Sequence, residues 1–362
     1  MTSIRTGAAL AAVLTLALAQ ACGGGNDGPA PEASPVTTAS PPLAATQAPE
    51  ATRGEVTTPG AEEFDIPTQN SVPHSIAIDS QGRVWFTELA ANKLGMFDPA
   101  SESFQEWDVP TEGAQPHGIG AAADGSIWIT YIGVSKLARF DPASEQFAEY
   151  AIPSPNTGPH SIAFDASGGL WFTESRGDAI ARLDLESGAI EEVPVPTAGS
   201  RPYGIAVDAE GVVWWAELTG HKIGRYDPAS NLLEELTPPT VEQGARRIAI
   251  DAQGGVWFTE FQAGKLGYYD PDAGAFSEYD LPSPNAQPYA IVAARDGSIW
   301  VSEFAANKLA RFDPETDSFV EFDIPSANAE CRTLAEDALG ALWCPESGTS
   351  KLLRFVPPAA QE

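Results

Sequence analysis

The strongest constraint on this chain is a period of 43 residues. Seven tryptophans recur at that spacing without an insertion: Trp85, Trp128, Trp171, Trp214, Trp257, Trp300 and Trp343. Seven prolines keep the same interval: Pro67, Pro110, Pro153, Pro196, Pro239, Pro282 and Pro325. A fixed period in the forties, with four short apolar runs per unit, is typical of a repeat fold.

One repeat reads as four antiparallel strands. In the first unit the runs are Ser75–Asp79, Val84–Glu88, Leu94–Asp98 and Phe104–Val109. Gly82 supplies turn geometry, and Pro99 closes the third strand because proline cannot donate to a ladder. One such sheet cannot bury two apolar faces alone, but seven around an axis can. The sequence therefore predicts an all-β fold, a seven-bladed β-propeller of four-stranded antiparallel blades.

The two ends of the repeat array are complementary. Phe64–Pro67 reads as a fourth strand without the first three, and Lys351–Phe355 reads as a third strand without a fourth. We therefore expect an N-terminal outer strand, at about residues 62–67, to join the last blade and close the ring. The alternative is an open array, but open arrays usually carry polar capping repeats.

Residues 1–22 are typical of a lipoprotein-type signal peptide. The apolar segment Ala8–Ala19 is too short to span a bilayer as a stable helix. Leu18-Ala-Gln-Ala-Cys22 resembles a bacterial lipobox, in which Cys22 would carry the lipid. We expect an exported protein, lipid-anchored to the outer face of the cell membrane or in the periplasm. The alternative is an ordinary secretion signal cut near Ala21.

Composition divides the rest of the chain and limits its partners. Residues 23–61 are rich in Gly, Pro, Ala and Thr, which predicts a disordered linker, and residues 62–362 form the propeller. The chain has 50 acidic and 20 basic residues, a net charge of −30. Such a surface repels nucleic acid and anionic lipid, so we expect a monomer that binds no nucleic acid and meets the membrane only through its lipid anchor.

Cys331 and Cys344 both lie in the last blade. A disulfide there would suit an oxidising compartment. Simple hairpin register, however, places the two about three residues out of step, with Cα atoms on the order of 10 Å apart, beyond the bridging limit. The register argues against a bridge, and the compartment leaves one open.

The start of strand one and the end of strand two lie at the same rim of a propeller, and strand one lines the central channel. The residues at the start of strand one, one from each blade, form a first column. They are His74, His117, His160, Tyr203, Arg246, Tyr289 and Arg332. The side chain at this position varies from blade to blade although the rest of the repeat is similar, and it is always His, Tyr or Arg. This pattern indicates a site for a small-molecule or peptide ligand at the channel mouth. The alternative is that they fill the mouth and hydrogen-bond to loops.

The residues at the end of strand two, one from each blade, form a second column. They are Glu88, Tyr131, Glu174, Glu217, Glu260, Glu303 and Glu346. A residue that recurs in almost every blade is usually structural. We expect these glutamates to bind backbone N–H groups of the next loop or to pair with the recurring lysine of strand three.

His74, His117 and His160 allow two interpretations. A neutral imidazole can serve as a general base that takes a proton next to a carbonyl group. Alternatively, three imidazoles from adjacent blades could share a transition metal. The sequence contains no GxSxG, HExxH, phosphate-loop or CxxC motif.

The repeated units P-H-S-I-A-x-D, V-W-F-T-E, N-K-L-G and F-D-I-P resemble those of the streptogramin B lyases, the virginiamycin B lyase family. The likeness covers about residues 62–362 and implies a seven-bladed propeller. It also implies a reaction in which Mg²⁺, held by carboxylates, polarises the ester region of a cyclic depsipeptide. A histidine then abstracts a proton, and the ring opens by elimination without water.

The resemblance implies a role for individual residues. The metal-holding carboxylates correspond to Glu330 and Glu346. The two histidine positions of the family are occupied here by Arg332 and Tyr289, and an aromatic position of the first blade corresponds to His74. The carboxylates are therefore kept, and both histidines are replaced.

Two functions are consistent with these features. The first is an exported lyase-like enzyme, with Mg²⁺ near Glu330 and Glu346 and an arginine that steadies an enolate or carboxylate oxygen. The second is a non-catalytic propeller that binds a ligand or protein at the same rim. The candidate catalytic residues are His74, His117, His160, Tyr289 and Arg332. The candidate substrate-binding residues are Tyr203, Arg246 and Arg247.

Overall fold

The computed structural model describes Thr58 and residues 60–358. The predicted signal peptide with Cys22, and residues 23–57 of the predicted linker, lie outside the described residues. Within the described part of the chain, no helix is long and apolar enough to cross a bilayer.

The described residues form β-strands connected by short turns. The first strands are β1 (Ala61–Asp65), β2 (Pro73–Ile78), β3 (Val84–Glu88), β4 (Lys93–Asp98), β5 (Ser103–Asp108), β6 (Pro116–Ala121), β7 (Ile127–Tyr131), β8 (Lys136–Asp141), β9 (Gln146–Ala151), β10 (Pro159–Phe164), β11 (Gly169–Glu174), β12 (Ala179–Asp184) and β13 (Ile190–Pro194). The later strands are β14 (Pro202–Val207), β15 (Val213–Glu217), β16 (Lys222–Asp227), β17 (Leu232–Leu236), β18 (Ala245–Ile250), β19 (Val256–Glu260), β20 (Lys265–Asp270), β21 (Ala275–Asp280), β22 (Pro288–Ala293), β23 (Ile299–Glu303), β24 (Lys308–Asp313), β25 (Ser318–Asp323), β26 (Ala335–Glu336), β27 (Leu342–Glu346) and β28 (Lys351–Phe355).

These strands form seven four-stranded antiparallel sheets, which confirms the predicted seven-bladed propeller. Six sheets use consecutive strands, and the seventh has the order β1-β28-β27-β26. In that sheet Ala61 pairs with Phe355 and Asp65 pairs with Lys351. The N-terminal strand therefore completes the last blade, as predicted, although it covers residues 61–65 rather than 62–67.

In five of the seven blades one aspartate explains much of the repeated sequence, and in the second blade the Ser126 hydroxyl accepts from Trp128 instead. The indole Nε1 of Trp85 donates to Asp79 Oδ2 at 2.8 Å, while Asp79 Oδ1 accepts the backbone N–H groups of Gln81 and Arg83. The same tryptophan-to-aspartate bond recurs at Asp165, Asp208, Asp251 and Asp337. Because one side chain fixes both the hairpin turn and the core tryptophan, their spacing is constant.

The lysines of strand three pair with glutamates of strand four, which corrects the expectation that they pair with strand two. Lys222 Nζ lies 2.5 Å from Glu235 Oε2, and the Thr197 hydroxyl donates to the same oxygen at 2.7 Å. At the ring closure Glu63 of β1 accepts from Lys351 at 2.9 Å and from the Ser326 hydroxyl at 2.7 Å. The closing strand therefore makes the same contacts as the outer strands within the other blades.

Cys331 and Cys344 form a disulfide with Cα atoms 5.8 Å apart, so the distance expected from hairpin register was wrong. β26 pairs with β27 only through Ala335 and Glu336, and an isolated bridge joins Cys331 to Glu346. The break in regular pairing between these two points changes the register. It brings the cysteines within the range that a disulfide spans.

Candidate functional site

The first column of side chains forms a packed layer at the channel mouth. The ring centroids of His74 and His117 lie 3.8 Å apart, those of His117 and His160 lie 4.0 Å apart, and those of His160 and Tyr203 lie 3.6 Å apart. All four side chains are buried. The structure thus brings the three histidines together with the first tyrosine in one stack.

Strand two of each blade positions this layer. The Thr87 hydroxyl accepts the backbone N–H of Ser75 at 3.1 Å and donates to the carbonyl of His117, in the next blade, at 2.8 Å. Equivalent hydroxyl bonds reach the carbonyls of His160, Tyr203, Tyr289 and Cys331. The threonine of the V-W-F-T-E unit therefore holds neighbouring innermost strands side by side.

The second half of the mouth is cationic and aromatic. The hydroxyls of Tyr203 and Tyr289 lie 2.8 Å apart, and Arg246 Nη2 donates to the Tyr203 hydroxyl at 2.9 Å. The Arg246 guanidinium lies 3.7 Å from the ring centroid of Tyr289, and the Arg332 guanidinium lies 5.6 Å from it. Two tyrosines from non-adjacent blades thus share a hydrogen bond beside two cations.

This environment pushes the pKa values of the two tyrosines apart. Burial alone would raise the pKa of Tyr289, but Arg246, Arg247 and the other neighbours lower it to about 8. Burial and the neighbouring Tyr289 raise the pKa of Tyr203 to about 12. Paired groups with separated pKa values are suited to opposite acid and base roles.

The histidines are weak bases in this setting. Burial, followed by the positive charge of Arg247, lowers the pKa of His117 to about 3. Burial also places the pKa values of His74 and His160 well below the usual range. Each imidazole is therefore neutral near pH 7 and holds a proton poorly. Among the described residues, no group of three or more His, Cys, Asp or Glu side chains is placed to hold a metal ion.

The two carboxylates that the resemblance assigns to Mg²⁺ have other partners. Glu330 pairs with Arg332 Nη2 at 2.6 Å. Glu346 is fully buried and accepts the Thr349 hydroxyl at 2.5 Å, and burial and the nearby Glu63 raise its pKa to about 8. Glu346 is enclosed and Glu330 is ion-paired, so within the described residues the two do not form a ready magnesium site.

Glu346 belongs to the strand-two glutamates, which share this environment. Burial is the largest cause that raises the pKa of each of them, and nearby strand-four glutamates add to the shift. The pKa reaches about 8 at Glu88, Glu174, Glu217 and Glu260, and about 7 at Glu303. These side chains are parts of the blade interior, as expected for a structural column. A strand-four glutamate lies near each of them, and the strand-three lysine also interacts with Glu88, Glu217, Glu260 and Glu303.

A pocket of about 540 Å³ opens beside the histidine stack. His117, His160 and Tyr203 contribute to its wall. The pocket wall also includes loop residues that the rim columns omit, among them Arg176, Asp178 and Arg201. Arg176 and Arg201 lie two residues from the column positions Glu174 and Tyr203, so columns extended by two residues would have included them, whereas Asp178 lies four residues after Glu174.

Known proteins share this architecture and part of the sequence. A model of the virginiamycin B lyase family matches residues 27–140 and 102–358. A solved streptogramin B lyase is 31% identical, covering 82% of this chain and 97% of its own, with a TM-score of 0.77. The virginiamycin B lyase of Staphylococcus aureus is 27% identical, covering 82% of this chain and 99% of its own, with a TM-score of 0.78.

A catalytically inactive histidine-to-alanine variant of the Staphylococcus aureus lyase, solved with quinupristin, is 28% identical with a TM-score of 0.76. It covers 82% of this chain and 99% of its own. No curated protein sequence matches the chain. The family match extends over the whole propeller, and the chain belongs to the virginiamycin B lyase family.

Proposed function

We propose that this propeller is a lyase-like enzyme that opens an ester by elimination, with the Tyr203–Tyr289 pair in place of a histidine base. The observation that carries the proposal is the separation of the two tyrosine pKa values across a 2.8 Å hydrogen bond. A group with a pKa of about 8 is available as a base near neutral pH, whereas His117, with a pKa of about 3, is not.

The proposed reaction is a proton relay. The substrate binds in the pocket whose wall includes Tyr203. The Tyr203 oxygen takes the proton from a carbon next to a carbonyl, while its own hydroxyl proton passes to the Tyr289 phenolate. The carbon–oxygen bond on the adjacent carbon then breaks, which yields an alkene and a carboxylate. Arg246 and Arg332 stabilise the negative charge that develops on the enolate oxygen.

The proposal is tested by incubating the full chain with quinupristin and analysing the product by mass spectrometry. We expect a ring-opened isomer of unchanged mass, because elimination consumes no water. Tyr289→Phe should lower kcat at least about 100-fold, whereas Tyr150→Phe, in outer strand β9, should not. Activity should be the same with added Mg²⁺ and with a chelator, because Glu330 and Glu346 are occupied by other contacts.

A second candidate function is ligand binding without turnover. It is favoured by the burial of Tyr289, which is only 1% exposed, and by Arg332 at a position where the family resemblance implies a histidine. A guanidinium cannot accept a proton. Calorimetry together with fragmentation mass spectrometry of the recovered ligand separates the two proposals: quinupristin that binds and is recovered with its ring intact supports the second and contradicts the first.

We also propose export and lipid attachment through Cys22, on the lipobox-like sequence alone. The mature protein would then work as a monomer outside the cytoplasm. The Cys22→Ala variant should move from the membrane fraction to the soluble fraction, and recovery of unchanged amounts in the membrane would contradict the anchor.

A further inference from the structure

Below the mouth layer, the central channel has a second ring made of the next residue of each innermost strand. Its members are Ser75, Gly118, Ser161, Gly204, Arg247, Ala290 and Thr333. Six are small, and close packing requires this: a Cβ on Gly118 would lie 2.0 Å from the carbonyl oxygen of His160. Arg247 is the one long side chain in the ring. The channel encloses a cavity of about 160 Å³.

Arg247 reaches across this cavity. Its Nη1 donates to the Ser161 hydroxyl, 86 residues earlier in the chain, at 2.6 Å. Its guanidinium also lies 5.4 Å from the Tyr203 ring centroid and 5.7 Å from that of Tyr289. These contacts place the cation on the propeller axis, on the inner side of the tyrosine pair.

Among the described residues no carboxylate pairs with Arg247, and the neighbours that favour its charged form are Tyr289 and Tyr203. Its Nε and Nη2 atoms are buried and make no hydrogen bond there. The cavity wall contains no aspartate or glutamate; its other polar side chains are the hydroxyls of Ser75, Ser161 and Thr333. Arg332 differs in this respect, because it pairs with Glu330 at 2.6 Å.

A buried cation with unused donors is costly. Burial lowers the pKa of Arg247, but a guanidinium stays protonated under all ordinary conditions, so it cannot escape the cost by releasing a proton. Proteins usually pair such a group with an anion. The cavity that Arg247 lines offers room for one, and its wall carries no carboxylate that would repel it.

We propose that the central channel binds a small monovalent anion, of the halide or short-carboxylate class, in the cavity lined by the guanidinium of Arg247. The ring below Arg247 consists of apolar side chains, including Ile76, Ile162 and Leu334, which cannot replace the water around a multiply charged ion. A weakly hydrated anion is therefore favoured over sulfate. This site adjoins the proposed ester site, because Arg247 lies 5.4 Å from the Tyr203 ring centroid, but the enolate oxygen is assigned to Arg246 and Arg332 rather than to Arg247.

The test uses bromide as the probe on the full chain. In thermal unfolding at constant ionic strength, sodium bromide replaces sodium gluconate, whose anion is too large for the cavity. We expect Tm to rise by about 2–3 °C for each tenfold increase in bromide above Kd. Anomalous diffraction from crystals in bromide should show a peak in the cavity, within hydrogen-bonding distance of the Arg247 guanidinium.

Two variants locate the effect. Arg247→Met keeps the side-chain volume and removes the charge, so its Tm should not respond to bromide and should exceed that of the wild type in gluconate. Arg295→Met removes an exposed arginine and should respond as the wild type does. If Arg247→Met fails to fold, the diffraction experiment on the wild type still decides.

Three outcomes would overturn the proposal. The first is electron density for water alone at Arg247. The second is a bromide peak without any response of Tm, which identifies an adventitious ion only. The third is a bromide peak confined to Arg246 and Arg332 at the mouth. Loss of quinupristin turnover would leave this inference intact, because neither readout depends on the ester reaction.

Discussion

Arg332 separates the candidate site from the chemistry implied by the resemblance to the lyases. It occupies a position where the resemblance implies a histidine, and it donates to Glu330 at 2.6 Å and to the Ser347 hydroxyl at 3.0 Å. The side chain can stabilise an anion but cannot take a proton. Any proton abstraction at the channel mouth therefore depends on another residue, and Tyr289 is the mouth-layer side chain whose pKa the surroundings bring to about 8.

Removing the charge of Arg246 should raise the pKa of Tyr289. The guanidinium lies 3.7 Å from the ring and favours the phenolate, so Arg246→Met should move the pKa from about 8 toward its usual value of 10. The shift is measured by following tyrosinate absorbance during a pH titration, with Tyr289→Phe to identify the signal. Arg83→Met, at the opposite end of a blade hairpin, serves as the control. An unchanged titration would show that Arg246 does not set the pKa.

Buried Glu174 should make the protein less stable as pH rises. Burial and the nearby Glu192 raise its pKa from 4.5 to about 8 in the folded state, so the folded state holds a proton that the unfolded state releases above pH 4.5. The free energy of unfolding should therefore fall between pH 4.5 and about 8.

Denaturant unfolding of Glu174→Gln, which is neutral at every pH, measures this contribution. The variant should lose about 1–3 kcal/mol less than the wild type across that interval. Glu191→Gln, at an exposed position of the same blade, should follow the wild type. Parallel curves for wild type and Glu174→Gln would mean that the Glu174 carboxyl is already ionised in the folded protein.

Among the strands, β26 is the weakest part of the ring. It has two residues, whereas the other innermost strands have six. The Cys331–Cys344 disulfide spans this shortened hairpin, in the blade that also receives the closing strand β1. A covalent link thus replaces part of the missing ladder. Regular hairpin register requires a continuous strand through residues 331–336. Because that strand is interrupted, the Cα atoms of Cys331 and Cys344 lie closer together than the register predicts.

Removing the disulfide should lower the free energy of unfolding by about 3 kcal/mol, since it closes a short loop in the last blade. The measurement is denaturant unfolding of the Cys331→Ser, Cys344→Ser double variant against the oxidised wild type. Wild-type protein under reducing conditions should behave like the variant. Equal stability of all three would show that the strands alone hold the blade together.

The ring as a whole was predictable because every repeat has the same length. A constant period fixes the number of blades, the strand order and the axial column, and the turn aspartates fix where each strand ends. The contacts across the axis could not be predicted in the same way. Tyr203 meets Tyr289, and Arg247 meets Ser161, across 86 residues of sequence each. Which side chains reach that far depends on their length and on the space left by small neighbours.

Arg246, Arg247 and Arg332 bring positive charge to the channel, whereas the chain as a whole has a net charge of −30. An anion that approaches Arg247 or Arg246 from solution must first cross a repulsive field, which dissolved salt screens within about 8–10 Å. Association should therefore accelerate as ionic strength rises, the reverse of ordinary electrostatic steering. The rate of iodide entry is measured by stopped flow, with gluconate as the screening salt and Arg247→Met as the background. A rate that rises with ionic strength would show that repulsion by distant carboxylates, rather than movement of a segment, limits entry.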